Sequence, residues 1–258
     1  MNLSQMWRSI QGRHTLDLSH AVYYADIPFA RTPLGDVTIT PITRDQWRNV
    51  AWLSPPLEQR SPALPIPSEW TANVVNDAFE PLLPATHVDL TQVQSLIDIL
   101  NAETGLTFRL PTRQEAFRMA VADFEEEPFL PIPRDIDQLG AFAWQPFQPP
   151  VGTSRLSTWG LYDTIGCIWQ WCSDGPADES VIQPSGTIYT YPRRWITGGS
   201  WRDRARDVVP NALGGQGSFS FAAHAAVSGR DVGFRLIRDQ KDNRKGPKTA
   251  SDNSITKV

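Results

Sequence analysis

Proline constrains this chain more than any other residue. The 258 residues include 22 prolines. Each fixes φ and removes a backbone donor, so long regular elements cannot persist where prolines cluster. Five fall within residues 54–70, SPPLEQRSPALPIPSEW, which must therefore run as a surface loop. Residues 125–155 are Pro-rich and irregular in the same way. Ten tryptophans accompany only three methionines. A Trp buries a large apolar surface and carries one N–H that needs a partner, so most of the ten are read as structural anchors. The expectation is an α+β fold with few short helices, short irregular antiparallel strands and long Pro-rich loops.

Between the loops the periodicity is legible. VYYADIPF at 22–29 reads as a strand. In ITRDQWRNVAWL, Thr43 is an N-cap, an acidic residue sits in the first turn, and Trp47, Val50 and Ala51 share a helical face. From Asp89 to Thr104, Leu90, Val93, Leu96, Ile97 and Leu100 recur at helical spacing; Thr91 or Asp89 caps the start and Gly105 ends it. Phe108 and Leu110 then alternate as a strand, Pro111 breaks it, and Thr112 caps a helix carrying Ala116, Phe117, Met119 and Ala120. Beyond Thr158 the chain reads as short strands: WGLYD, CIWQWC, TIYTYP, RRWITGGSW and DVGFRLI. The tail at 240–258 is charged, without aromatics or apolar period, and is expected to be disordered.

The bulk composition excludes several function classes. A formal net charge of -4 and no basic stripe argue against nucleic acid as a partner. No stretch approaches the ~18 apolar residues of a membrane span. The N-terminal residues hold no apolar core of signal-peptide length, so the expected location is cytoplasmic or virion-associated. The two cysteines, Cys167 and Cys172, cannot form a disulfide framework, and their spacing is not a usual zinc pattern. On an extended strand that odd spacing puts them on opposite faces, which disfavours a mutual disulfide and leaves two buried, inert thiols.

Four segments carry a family pattern: ITRDQWRNVA at 42–51; HVDLTQVQSLIDILNAETGLTFRLPTRQEAF at 87–117; WGLYDTIGCIWQWCSD at 159–174; and WITGGSW at 195–201 followed by DVGFRLIRD at 231–239. Together, in this order, they resemble the formylglycine-generating enzyme (sulfatase-modifying factor) family, over roughly residues 30–239. The resemblance implies a C-type-lectin-like fold for 30–239, with residues 1–29 an N-terminal extension packed on that domain. Physical chemistry reads some of these residues without the family. Gly198 and Gly199 permit a positive-φ turn that swings Trp201 to a fixed place. Arg109 and Arg235, set in apolar runs, are either buried ion-pair anchors or snorkelling surface residues. For Arg109 the nearby acids are Asp98, Glu103 and Glu115. Asp163 is either an Asx turn or a metal ligand.

The resemblance implies a structural calcium held by Asp163, the carbonyls of Gly166 and Ile168, and position 170. Oxygen-only ligation suits that hard cation. This chain has Gln170 where the family has Glu, which removes one ligand charge, and Cys167 where the family has Asn. The family's oxidase binds copper through two cysteines just after the Gly-Gly-Ser turn. Here that stretch is WRDRARD, and no cysteine follows Cys172. Without thiolates there is no soft copper site, so neither copper nor formylglycine chemistry is expected. The iron-dependent branches use histidines from an added domain; His14, His20, His87 and His224 form no such set. A nucleophile elbow is also missing.

What remains is recognition of a protein or small-molecule ligand. Its candidate surface is Trp201, Arg202, Asp203, Arg204 and Arg206, followed by Asn211, Phe219, Phe221 and His224. Arg and Trp suit interface hot spots; the bland reading is a solvated edge whose Arg and Asp neutralise one another. In the sharper form the chain is a retroelement-diversified variable protein, since the stretch before DVGFR is rich in Gly, Ser, Ala, Asn, Asp and Phe. The alternative is a divergent oxidase or tailoring enzyme of the same superfamily, which requires a deep pocket near Trp201, Asp203 and His224.

Overall fold

The two ends of the domain meet in one sheet. In the computed structural model, which describes residues 16–53, 64–72, 80–122, 140–142, 148–182, 185, 188–208 and 219–239, β1 (Val22–Tyr24), β2 (Ile27–Thr32) and β3 (Gly35–Thr38) form an antiparallel meander. The last strand, β11 (Ile237–Arg238), inserts between β3 and β4 (Phe108–Arg109), giving the order β1-β2-β3-β11-β4. Ile237 faces Val37 on one side and Arg109 on the other. The single strand expected over 22–29 is instead a hairpin: Ala25 and Asp26 take φ of 46° and 61° and reverse the chain. The boundary at residues 29/30 therefore falls inside β2, and residues 22–29 are part of the main sheet rather than an extension upon it.

A second sheet carries the C-terminal motifs. β5 (Trp169–Trp171) lies between β10 (Val232–Gly233), its parallel neighbour, and β8 (Arg193–Thr197), which pairs antiparallel with β9 (Ser220–His224). β6 (Glu179–Ile182) and β7 (Ile188–Tyr191) form a separate hairpin. WGLYD is not a strand. Gly160, Asp163 and Gly166 all adopt positive φ, incompatible with extended backbone. Neither β6 nor β9 was expected from the sequence, because β6 is short and polar and β9 lies in a small-residue stretch without alternation.

The helices match their sequence signals. α1 (Arg44–Trp52), α3 (Leu90–Thr104) and α4 (Arg113–Ala120) open with capping boxes on Thr43, Asp89 and Thr112, with Gln46, Gln92 and Glu115 as reciprocal partners. Gly105 closes α3 in the left-handed conformation. Two short helices are α2 (Glu69–Ala72) and α5 (Ala205–Val208). Among the described residues no helix is long and apolar enough to cross a membrane.

One contiguous core joins both sheets and the helices through Phe29, Trp47, Trp70, Phe108, Trp171 and Phe234. Trp47 stands edge-on to Trp70 and Phe234, and Trp70 Nε1 donates to the Thr86 carbonyl at 2.9 Å. Of the eight described tryptophans only Trp52 is exposed, in keeping with a structural role for most. The surface loop expected over 54–70 does not hold where it is described: Leu64, Pro67 and Trp70 are buried and α2 begins at Glu69, because Trp70 is drawn into the core against Trp47. Residues 54–63, the irregular course of 125–139 and the disorder expected of 240–258 lie outside the described residues.

Candidate functional site

The Gly-Gly-Ser-Trp turn is the pivot of the site. Gly198 and Gly199 have φ of 98° and 76°, and a Cβ on Gly199 would come within 2.3 Å of the Val208 side chain. The turn aims Ser200 into a knot of charges. Its N–H and hydroxyl each reach Asp203 Oδ2 at 2.8 Å, and the hydroxyl lies 3.2 Å from Asp231 Oδ2. The Arg202 amide donates to Ser200 Oγ at 3.2 Å, and its guanidinium pairs with Asp231 at 3.6 Å. Asp231 and Arg230 belong to the segment before β10. The sequence marked that segment only as a strand, with nothing in the local pattern linking it to a turn thirty residues earlier.

The other candidate surface residues separate into two groups. Trp201 is 7% exposed, packed on Cys167 and Ile168, with the Arg230 guanidinium 5.9 Å from its ring centroid. Its buried Nε1 has no hydrogen-bond partner among the described residues. Phe219 is buried too, edge-on to Phe117. Phe221 is 45% exposed and stands edge-on to Trp169 with centroids 4.7 Å apart. His224 packs on Tyr191, and its Nδ1 accepts from the Ala226 amide. Along β9, Ser220 pairs with Thr197 beside the turn but His224 pairs with Arg193. Four strand residues, about 13 Å, therefore separate His224 from the turn. Arg204 is exposed; the Arg206 side chain and Asn211 lie outside the described residues.

Asp163 and Gln170 meet around Arg235, which is 1% exposed. Arg235 Nε donates to Gln170 Oε1 at 2.6 Å, and its two terminal nitrogens donate to the carbonyls of Thr38, Tyr162 and Asp163 at 2.8–3.1 Å. Burial pushes the guanidinium pKa down to about 10. Gln170 Nε2 in turn donates to the Asp163 carbonyl at 2.9 Å. The Asp163 carboxylate points elsewhere, accepting from the Gly152 amide, the Ser154 amide at 3.0 Å and the Thr153 hydroxyl. Burial raises its pKa despite these donors.

This arrangement does not fit calcium. The Asp163 carboxylate is taken by three donors, the Gly166 carbonyl by the Ile168 amide, and Gln170 Oε1 by Arg235. A dication would have to displace these bonds beside a buried guanidinium. Arg109, by contrast, is an anchor as its setting suggested. Its partners are Glu115 at 2.7 Å and Asp239 at 3.0 Å, in place of Asp98 and Glu103.

The thiols are both free and buried. Cys167 precedes β5 with φ of 64°, so the alternation expected of an extended strand does not apply to the pair. Burial raises both pKa values, that of Cys172 to about 12, which keeps the sulfurs protonated and poorly nucleophilic.

With this geometry in view, the relatives are informative. Residues 36–240 match the profile of the Sulfatase-modifying factor enzyme 1-like domain. No curated protein matches the sequence. Among solved structures, Treponema denticola variable protein 1 is similar at a TM-score of 0.55 and 17% identity, over 84% of this chain and 97% of that one. PvdO from Pseudomonas aeruginosa is similar at 0.52 and 20%, over 82% and 80%. CarF is similar at 0.50 and 16%, over 82% and 86%. At these identities the likeness concerns the fold alone, but the profile spans most of the chain. The strand and helix order, the Gly-Gly-Ser-Trp turn and the terminal Gly-Phe-Arg segment thus have one explanation: the chain belongs to the sulfatase-modifying factor enzyme 1-like family.

Proposed function

We propose that the protein is a non-catalytic member of this family that binds a protein or small-molecule ligand through the surface around residues 201–230. The observation that carries the reading is the chemistry of WRDRARD. Where the family's oxidase is expected to hold copper through thiolates, this chain places arginines and aspartates, and Ser200, Arg202, Asp203 and Asp231 bind one another. Neither remaining thiol can substitute, since both are buried and protonated. Phe221 and Arg204 supply exposed apolar and cationic contacts beside that turn. Incubation with copper and a cysteinyl peptide, followed by mass spectrometry, is expected to show no formylglycine; its formation overturns the reading.

A sharper form is that 201–230 is diversified by a retroelement. Its support is the small-residue composition of the stretch before β10, together with a fold shared with one variable protein. A reverse transcriptase gene beside the coding sequence, with a near-copy of this region as template, is the expected finding. Its absence removes the sharper form and leaves the binding reading standing. The tailoring-enzyme alternative is less well supported, because Trp201 packs inward and His224 sits a strand length from Asp203.

A further inference from the structure

A cavity of about 450 Å³ opens at the end of the β8–β9 pair remote from the Gly-Gly-Ser turn, and none of Trp201, Asp203 or His224 lines it. One wall is the stripe of α3 formed by Leu90, Gln94, Ile97 and Asn101, spaced so that they share one helical face. Phe108 and Leu110 line it as well, and a second wall is contributed by Pro192, Arg194 and Ala225. The walls are joined to one another by hydrogen bonds. The Leu90 amide donates to the Ala225 carbonyl at 3.0 Å, the Ala225 amide to Pro192 at 2.9 Å, and the Ser173 amide to Pro111 at 2.8 Å. Asn101 Oδ1 accepts from the Phe108 amide at 2.7 Å. Such a cavity is held open by the fold, and its size is that of a small-molecule site.

Its charge is one-sided. Among the described residues, Arg109 and Arg194 line it and no Asp or Glu does. Arg109 is neutralised by Glu115 and Asp239. Arg194 is held more loosely: one terminal nitrogen donates to the Arg193 carbonyl at 2.9 Å, and the same nitrogen forms only a long, solvent-exposed ion pair with Asp178 at 3.9 Å, of the kind that contributes little. Its Nε and other terminal nitrogen have no hydrogen-bond partner among the described residues. A half-buried guanidinium with free donors at the mouth of an apolar cleft matches the fork geometry of a carboxylate or sulfonate.

We propose that this cavity binds a small amphipathic organic anion, its apolar body between Leu90, Ile97 and Ala225 and its acidic group on Arg194. The cavity meets the 201–230 segment at Ala225, but none of Trp201, Arg202, Asp203, Arg204, Phe219, Phe221 or His224 lines it, so it is tested independently of the binding role proposed there. The test uses the whole chain and two fluorescent probes of similar shape, anionic 1-anilinonaphthalene-8-sulfonate and neutral N-phenyl-1-naphthylamine. Wild type is expected to bind the anionic probe saturably. Loss of a charge-assisted contact in Arg194→Gln, or an added charge in exposed Gln94→Glu, is expected to weaken it about tenfold or more while sparing the neutral probe. Thr91→Trp, which fills the mouth from the exposed face of α3, is expected to abolish both. Circular dichroism and melting temperature confirm that each variant folds. Unsaturable binding, or wild-type affinity of the anionic probe in the two charge variants, overturns the anion; wild-type binding of both probes in Thr91→Trp overturns the site.

Discussion

At the scale of single residues, the left-handed positions separate two kinds of glycine. A Cβ on Gly198 meets nothing closer than the Thr164 carbonyl at 3.4 Å, whereas on Gly199 it collides with Val208 at 2.3 Å. Both substitutions incur backbone strain, but only the second also overpacks the core behind the turn. Gly199→Ala is therefore expected to be about 2 kcal/mol less stable than Gly198→Ala, measured by urea unfolding. Gln170 is the second informative residue. Its amide nitrogen donates to the Asp163 carbonyl while its oxygen receives Arg235, so it satisfies groups of both polarities with no ion. Calcium or a chelator is accordingly expected to leave the wild-type melting temperature unchanged. Gln170→Glu turns the donor into a second oxygen facing the Asp163 carbonyl, and that variant is expected to gain calcium-dependent stability. A calcium shift of several degrees in the wild type would sink this account of the site.

At the scale of elements, α4 shows how one side chain can serve two structures. Glu115 accepts from the Thr112 amide as the capping-box partner and also pairs with Arg109 of β4. Burial opposes its ionisation, yet the hydrogen bonds from Arg109 and Thr112 outweigh it and hold the carboxyl below its ordinary pKa. Thr112→Ala removes one cap and is expected to lose about 1 kcal/mol. Glu115→Ala removes the cap partner and leaves the β4 guanidinium to Asp239 alone, so a larger loss is expected, about 2 kcal/mol. Equal losses in thermal unfolding would show that the β4 contact contributes nothing. The capping boxes themselves were readable from the sequence, because the interacting groups lie three residues apart. β6 and β9 were not, because a polar or small-residue strand is defined by its neighbour, and β9 is an edge strand registered on β8.

At the scale of the whole molecule, several long-range ties carry titratable groups, and acid should undo them in sequence. His87, adjoining the Asp231 region, is held below its ordinary 6.5 chiefly by burial. The unfolded chain therefore binds a proton there that the folded one resists, and stability falls as pH drops below about 6.5. Glu80, bonded to Arg48, and Glu115 have lowered values relative to 4.5, so their contributions are present above that pH and lost as it falls further. Buried Asp163, with its raised pKa, acts in the opposite sense. The expected profile is a shallow decline in melting temperature from pH 7 to 5 and a steeper one below 4.5. His87→Gln is expected to flatten the first part only; an unchanged slope between pH 7 and 5 would remove His87 from the explanation.

Features with local causes were available to the sequence: the three capped helices, the positive-φ glycines before Ser200, the inert thiols and the family pattern itself. Each depends on residues within a few positions of one another, where propensity and capping act directly. Tertiary structure alone decided the rest. Arg235 could be read as buried or snorkelling until the chain brought Gln170, Thr38, Tyr162 and Asp163 around it. Trp201 read as a recognition residue until packing on Cys167 and Ile168 turned it inward. The cavity between α3 and Arg194 joins segments about a hundred residues apart, and no local signal encodes such a meeting, because burial and pairing across that distance are properties of the folded chain.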